Sequence, residues 1–163
     1  MKTDIGEYIV GAYLKLIEEC DVIDYNVRPT GGGIKGLGEL DVIGMNFKTD
    51  TVFICEVTTH LNGLLYGQGN AGTVKKIQDK HQRQQEYANE FLEQFKNKRF
   101  MLWSTRVPKG AITNEISQIP GLELIINEEY TKRVDELRTL ARTTTADCGN
   151  VFFRTLQILE HLR

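Results

Sequence analysis

The sequence predicts an α/β fold in which a mixed central sheet is flanked by helices. The first observation is the order of the hydrophobic patterns, which alternates helix-like and strand-like segments as αβββαβαβαα. The second is a pair of consecutive strand-like segments joined by residues 47–50, which is typical of a hairpin. The third is size, because 163 residues, 40% of them hydrophobic, can bury a core without disulfides or a structural metal.

Each element follows from the spacing of apolar residues along the chain. Helical spacing predicts a first helix over residues 5–17, and later helices over 73–95, 111–119, 128–141 and 150–162. Alternating or continuous apolar segments predict strands over residues 22–28, 39–46, 51–58, 99–107 and 122–127. We interpret residues 1–163 as one domain. The C-terminal helices, within 128–163, are expected to pack on this domain or on a partner such as a second copy in a homodimer.

Composition and charge exclude several classes of protein. No apolar segment approaches the roughly 20 residues of a membrane span, and the first residues lack a signal-peptide pattern. The net charge of −2 is no signature of a dedicated nucleic-acid binder, although it leaves room for one local basic patch. The three cysteines are odd in number and form no CxxC pair, so we expect a reduced, cytoplasmic protein.

Two glycine-rich loops, 30–38 and 63–72, resemble phosphate-binding loops only superficially. The first holds five glycines but leads into a strand, whereas a phosphate-binding P-loop leads into a helix. The dinucleotide pattern G-x-G-x-x-G is also absent. We therefore expect no nucleotide cofactor, and we interpret both loops as connections beside a site.

The strongest functional signal is a group of acids in the predicted hairpin. Its register places Asp41 opposite Glu56 and Glu39 opposite Thr58 on one face. The opposite face is almost entirely apolar and is expected to be core; it consists of Leu40, Val42, Phe53, Cys55 and Val57. Like charges that face each other destabilise a sheet unless a cation lies between them or one carboxyl stays protonated. Oxygen ligands of this kind suit Mg²⁺ or Mn²⁺, so the acids predict a divalent-metal site.

At these residues the sequence resembles the PD-(D/E)XK nuclease superfamily, which has the restriction-endonuclease-like fold. The resemblance is greatest to its Holliday-junction-resolvase-like and Mrr-like branches. The segment GELDVI at 38–43 matches the first half of the family pattern, and FICEV at 53–57 matches the second half. Gly6-Glu7 in the first helix also fits. The similarity is specific over residues 4–60, and beyond them only the order of elements agrees.

The resemblance implies a divalent-metal-dependent nuclease that acts on DNA. Asp41, Glu56 and the backbone carbonyl of Val57 would be metal ligands, and Glu7 an accessory acid, while Glu39 or Glu7 would hold a second ion or its water. Thr58 departs from the pattern, because the family has a lysine there that neutralises charge and helps to position the attacking water. Some members of the superfamily supply this lysine from the following helix.

The helix predicted from residue 73 offers such a lysine. Lys80 is the first candidate, because it flanks the apolar face, and Lys76 is the second. With Lys75 and Arg83 they form a basic patch that suits a phosphate backbone. Two further residues complete the predicted nucleic-acid-binding set. They are Lys35 in the first glycine-rich loop and His60 after the acidic strand, although a hydrogen-bonded residue at a strand end is the simpler explanation of His60.

Two functions from different classes are compatible with these residues. One is a Mg²⁺- or Mn²⁺-dependent DNA nuclease, in which a lysine offsets the charge of the transition state. The other is a catalytically impaired nucleic-acid-binding or assembly module on the same fold. A lysine ammonium within about 5 Å of the Asp41–Glu56 pair, the range over which a charge strongly biases a carboxylate, favours the nuclease.

Overall fold

A computed structural model describes residues 2–29, 38–67 and 69–162 of the chain. The helices and strands follow the predicted order αβββαβαβαα. The strands are β1 (Val22–Val27), β2 (Leu40–Asn46), β3 (Thr51–Thr58), β4 (Asn97–Ser104) and β5 (Leu122–Ile126). The helices are α1 (Ile5–Leu16), α2 (Gly69–Phe91), α3 (Ala111–Ile116), α4 (Glu128–Thr143) and α5 (Val151–His161).

The described strands form one five-stranded sheet in the order β1-β2-β3-β4-β5. The pairs β1–β2 and β2–β3 are antiparallel, and residues 47–50 make the short turn between β2 and β3. The pairs β3–β4 and β4–β5 are parallel, since α2 and α3 carry the chain back to the other end of the sheet. The predicted α/β class, with a mixed sheet flanked by helices, is confirmed.

Helices cover both faces of the sheet. On one face α1, α4 and α5 enclose a core around Trp103, to which Val42, Phe53 and Cys55 contribute from the hairpin. On the other face α2 and α3 cover two further apolar clusters, one of which contains Ile43 and Ile54. The prediction that only the Val42 face of the hairpin belongs to the core was wrong. The acids therefore lie at the end of a buried face rather than on an open one.

Two element boundaries differ from the prediction in ways that affect the site. Helix α2 begins at Gly69 rather than at residue 73, and it ends at Phe91 rather than at residue 95. Phe95 nevertheless stays buried with Ala88 and Leu92 in the cluster beneath α2. Leu40 also belongs to this cluster and not to the Val42 face, to which the alternation assigned it.

The two C-terminal helices pack on the rest of this chain. Leu137 and Ala141 of α4 and Phe153 of α5 are buried in the same core as α1. Asn150 fixes the start of α5, because its side chain accepts the Phe153 N–H at 2.9 Å and donates to the Tyr8 carbonyl at 2.9 Å. The opposite side of α5 exposes aliphatic residues, namely Val151, Ile158, Leu159 and Leu162.

Two properties of the described residues bear on the class of protein. None of their helices combines the length and apolar character needed to cross a bilayer. All three cysteines are free thiols, with Cys20 and Cys55 buried in the core and Cys148 half-buried. Burial raises the pKa of the Cys20 thiol to about 12, so this side chain behaves as a small apolar residue.

One position in the interior of α1 requires glycine, although glycine generally weakens a helix. Gly11 faces the ring of Tyr25 on β1, and a Cβ at this position would overlap the Tyr25 hydroxyl and lie 2.6 Å from Cζ. The ring is held among Tyr8 and the core residues and cannot simply move aside. The close approach of α1 to the sheet therefore depends on the missing side chain.

We expect Gly11→Ala to lower the free energy of unfolding by about 1–3 kcal/mol, because overpacking outweighs the roughly 1 kcal/mol that alanine gains in helix propensity. Urea denaturation measures this difference. Gly67→Ala is the matched control, since a Cβ at Gly67 meets nothing within 4 Å, and it should change stability by less than about 0.5 kcal/mol. An equally stable Gly11→Ala variant would contradict this account of the α1–β1 contact.

Candidate active site

The carboxyl group of Asp41 ends the hairpin ladder. The predicted register is confirmed over five pairs, from Asn46↔Thr51 to Val42↔Cys55. Beyond these pairs, the Asp41 side chain replaces the next backbone acceptor, because its Oδ2 accepts the Val57 N–H at 2.7 Å. Strand β2 begins at Leu40, so Glu39 lies outside it and the predicted Glu39–Thr58 pair is wrong. Asp41 is thus fixed at the mouth of the hairpin beside the end of β3.

Glu56 lines the same hollow as Asp41 and is paired with a lysine from α2. Its side chain is 9% exposed, and its Oε1 contacts the Nζ of Lys80, whose own side chain is 26% exposed. Two carboxyl groups at this position were expected to need a cation or a proton between them. In the structure the ammonium group of Lys80 provides that positive charge.

Burial and charge oppose each other in this group of three residues. Burial raises the pKa of Asp41, while the Val57 N–H and the charge of Lys80 act in the opposite direction. Burial likewise lowers the pKa of Lys80, and the nearby Asp41 partly restores it. Burial thus favours the neutral form of each group, and the neighbouring charge and hydrogen bond offset part of the cost of leaving water.

The side chain of Gln84 fixes the height of Lys80 above the sheet. Gln84 lies one turn further along α2 and is 1% exposed. Its Nε2 donates to the Ile54 carbonyl of β3 at 3.0 Å and lies 3.4 Å from the Met101 carbonyl of β4. His81, also buried, holds the same turn through a 3.0 Å contact between Nε2 and the Pro120 carbonyl. Two polar anchors three residues apart thus dock α2, Gln84 on β3 and β4 and His81 on the segment before β5.

A hollow of about 250 Å³ opens beside the carboxylate pair. Glu39 and Arg83 lie on its wall with Asp41, Glu56 and Lys80. Glu39 Oε2 forms an ion pair with Arg28 at 3.4 Å, whereas its Oε1 is buried and has no hydrogen-bond partner among the described residues. The site therefore contains three carboxyl groups with three cations around them.

Glu7 lies near this site but is held in a structural role. Its Oε2 accepts the Asp4 N–H at 2.9 Å and the Nδ2 of Asn26 at 3.0 Å, which completes the capping box at the start of α1. Burial raises the pKa of Glu7, and the hydrogen bond from Asp4 opposes that change. The charge of Asp41 also raises the pKa of Glu7, so this predicted accessory acid lies close to the site. Glu7 does not line the hollow itself.

The other predicted binding residues are distributed around the site. Lys76 lies over the ring of Tyr66, with its Nζ 4.1 Å from the ring centroid, and Lys75 is exposed beside it. His60 is exposed, and its imidazole makes no hydrogen bond to any described residue. Lys35 falls in residues 30–37, outside the described ranges. Tyr66 was not among the predicted site residues, because its only signal in the sequence was its aromatic character inside a glycine-rich loop.

The donor atoms at the site fit a hard divalent cation. Within residues 2–29, 38–67 and 69–162, no group of three or more His, Cys, Asp and Glu side chains could hold a metal ion. The pair nevertheless offers Asp41 Oδ1 and Glu56 Oε2, which have no hydrogen-bond partner among these residues. The Val57 carbonyl adds a third oxygen, since the N–H and C=O of one strand residue point to the same side and this N–H faces Asp41. Oxygen donors with room for water are the ligands that Mg²⁺ and Mn²⁺ prefer.

Comparisons with protein-family models, with curated proteins and with solved structures found no match to this chain. The resemblance to PD-(D/E)XK nucleases therefore depends on the motif residues themselves.

We expect Asp41→Asn to raise the free energy of unfolding of the metal-free protein at pH 7. Burial raises the pKa of Asp41, so its ionised form is costly in the folded state, whereas asparagine keeps an oxygen for the Val57 N–H. A carboxyl group whose pKa is raised in the folded protein adds stability while it is protonated. That contribution is lost as the pH rises through the pKa of the folded protein. The advantage of the variant must therefore shrink as the pH falls through the pKa of Asp41. Urea denaturation of both proteins across acidic and neutral pH measures this difference.

Asp79→Asn is the control for that experiment, because Asp79 is an exposed carboxylate on α2. It should change the stability by less than about 0.5 kcal/mol. A less stable Asp41→Asn variant at pH 7 would show that the ionised carboxylate has partners that outweigh the cost of its burial.

We also expect Glu56 and Lys80 to be strongly coupled. Lys80→Met leaves a buried carboxylate without its cation, and Glu56→Gln leaves an ammonium without its counter-charge. Each single change should cost about 1–3 kcal/mol, and the double variant should cost less than the sum by at least about 1 kcal/mol. A double-mutant cycle on the free energy of unfolding measures the coupling. The exposed pair Lys109–Glu128 serves as control and should show none. Additive effects at Glu56 and Lys80 would contradict the ion pair.

Proposed function

We propose that this protein is a divalent-metal-dependent nuclease that hydrolyses DNA phosphodiester bonds on a restriction-endonuclease-like fold of the PD-(D/E)XK type. The observation that carries the proposal is the contact of the Lys80 ammonium with Glu56, beside Asp41. Two carboxylates and a lysine are the residues that this chemistry requires. The motif segments on β2 and β3 and the order of the elements support the same conclusion.

The contact also explains the departure at Thr58. Thr58 is buried, and its hydroxyl has no hydrogen-bond partner among the described residues. A lysine on β3 is unnecessary if Lys80 supplies the same charge from α2. This contact favours the nuclease over the catalytically impaired binding module, for which no lysine near the carboxylate pair was expected.

Asp41, Glu56 and the Val57 carbonyl would hold Mg²⁺ or Mn²⁺. When bound, such an ion polarises a phosphate oxygen and lowers the pKa of a bound water. Lys80 contacts Glu56 and the Val57 N–H donates to Asp41, and both interactions offset part of the cost of ionising these buried carboxyl groups before a cation binds. Lys80 would place a positive charge near the phosphorus, where negative charge develops during attack, and a preorganised charge of this kind stabilises a transition state. Glu39 Oε1, which is buried without a partner, is the better candidate than Glu7 for an additional water or ion.

The DNA would approach along α2. Arg83 lies on the wall of the carboxylate hollow, and Lys75 and Lys76 line a second hollow nearer the start of the same helix. His60 lies in the loop that precedes α2. Phosphate contacts from lysine and arginine supply most of the affinity of such an interface. A homodimer through the aliphatic side of α5 is compatible with this arrangement, because α5 packs on the face of the sheet opposite to α2.

We expect Asp41→Asn and Glu56→Gln to abolish Mg²⁺-dependent cleavage, and Lys80→Ala to lower its rate by about 10²–10³-fold, as for other preorganised charges. The measurement is nicking of supercoiled plasmid and cleavage of branched DNA with Mg²⁺, Mn²⁺ or EDTA. Lys75→Ala is the matched control: it removes a lysine of the same helix and should weaken only binding, by about one phosphate contact.

Two results would contradict different parts of this proposal. A wild-type protein that binds DNA but cleaves none of these substrates with either metal would overturn the nuclease. Full activity of both Lys76→Ala and Lys80→Ala would leave the nuclease standing and would show that its chemistry needs no lysine from α2.

A further inference from the structure

Tyr66 is fixed between the apolar core and the lysines of α2. Its backbone N–H donates to the hydroxyl of Thr73 at 3.0 Å, and that hydroxyl lies 2.9 Å from the Gly69 carbonyl. Thr73 is fully buried, so the anchor is shielded from water. The Tyr66 side chain packs against the cluster that contains Leu64 and Ile77. Its ring is therefore held in place before any ligand binds.

Two ammonium groups lie over this ring. The Nζ of Lys76 is 4.1 Å from the ring centroid, and that of Lys80 is 5.7 Å from it. Both distances fall within the roughly 6 Å range of cation–π attraction. The two lysines differ in their other partners, because Lys80 is bound to Glu56 whereas Lys76 forms no ion pair with any described carboxylate.

An aromatic face differs from a carboxylate as the partner of a cation. The ring attracts an ammonium through its quadrupole but carries no net charge, so the held lysine keeps its full positive charge. Lys76 also borders a hollow of about 540 Å³, whose lining includes Tyr66, Lys75 and the carboxylate of Asp79. Asp79 forms no ion pair with either lysine. The space beside Lys76 therefore offers a fixed positive charge to an anion.

We propose that Tyr66 is a positioning residue, whose ring holds Lys76 as the binding site for a substrate phosphate next to the one cleaved. This inference rests on the proposed nuclease function and adds a division of labour to it. Lys80 balances the carboxylates, and Lys76 takes a neighbouring phosphate of the same strand. Tyr66 touches neither phosphate, and it acts by holding both ammonium groups at their separation.

The test compares variants that keep or delete the ring. Tyr66→Phe keeps the ring, whereas Tyr66→Leu and Tyr66→Met delete it, the methionine filling more of the space if the leucine variant proves unstable to heat. Dissociation constants for a short duplex are measured with Ca²⁺ in place of Mg²⁺ over a series of salt concentrations, so that binding is read without cleavage. The kcat and KM values with Mg²⁺ are measured in parallel.

The expected result is a loss shared by Tyr66 and Lys76. Lys76→Ala and either ring-deleting variant should each weaken binding about three- to tenfold. Each should also reduce the slope of log K against log salt by the amount that corresponds to about one phosphate contact. The double variant should bind no more weakly than Lys76→Ala alone, because the ring acts through that lysine. Tyr66→Phe should stay within about twofold of wild type. Lys76→Ala should raise KM. Deletion of the ring should raise KM and also lower kcat, because Lys80 then loses its contact with the ring as well.

The matched control is Lys75→Ala combined with ring deletion. Lys75 neighbours Lys76 but makes no contact with the ring, so these two effects should multiply. A purely structural role for Tyr66 would lower the melting temperature without changing the salt slope, and that result would overturn the proposal. Multiplying effects of Tyr66→Leu and Lys76→Ala would overturn it as well, as would equal losses in Tyr66→Phe and Tyr66→Leu.

Failure of the inference is distinguishable from failure of the nuclease. A wild-type protein that cleaves DNA while Tyr66 and Lys76 act independently refutes only the positioning role. A wild-type protein that binds DNA without cleaving it refutes the nuclease, and the binding measurements still decide the role of Tyr66. A wild-type protein that does not bind DNA refutes both.

Discussion

The negative charge at the end of β3 is the constraint on which the arrangement of α2 depends. Asp41 and Glu56 converge there because the hairpin register brings their strands together, and both faces of the hairpin are covered by helices. Carboxylates in such surroundings need a cation or protons. The docking of α2 through Gln84 and His81 satisfies this need, since it brings Lys80 onto Glu56. Ile77 and Ala88, which pack on the same side of the helix, add the apolar contacts that fix its position.

Supplying the charge from a helix rather than from the strand has a physical consequence for the site. A lysine at position 58 would lie on the same strand as Glu56, so the position of its ammonium group would depend on β3 alone. Lys80 belongs to a separate element, so its distance to the carboxylates depends on how α2 packs on β3 and β4. The polar anchors of α2 are remote in sequence from the acids, but they help to set the electrostatics of the pair because they fix the position of Lys80.

Much of the fold could be predicted from the sequence because its signals were local. The register of β2 and β3 followed from one short turn and was confirmed as far as Val42↔Cys55. The ladder then stops because the Asp41 side chain competes for the Val57 N–H, and strand alternation contains no information about such competition. The same limit explains Glu39, whose pairing with Arg28 depends on the end of β1 rather than on the hairpin.

The parts of the site that escaped prediction depend on contacts between distant segments. Lys80 was a candidate because helical spacing placed it beside an apolar face, but its contact with Glu56 depends on the angle at which α2 crosses the sheet. Glu7 was predicted as an accessory acid from a resemblance, whereas in the structure its carboxylate is held by the capping box and by Asn26. Tyr66 had no sequence signal beyond its aromatic character, because its role follows from Thr73 and from two lysines on the next helix.

The hydrogen bond from the Val57 N–H to Asp41 makes one main-chain proton a reporter of the site. Its acceptor is an ionisable oxygen rather than a peptide carbonyl, so the bond changes in strength whenever Asp41 gains a proton or shares its charge with a cation. The resonance frequency and solvent-exchange rate of this single amide therefore follow the state of the carboxyl group. Nuclear magnetic resonance can thus observe the occupancy of the site in the resting protein, without a substrate and without chemical modification of the carboxyl itself.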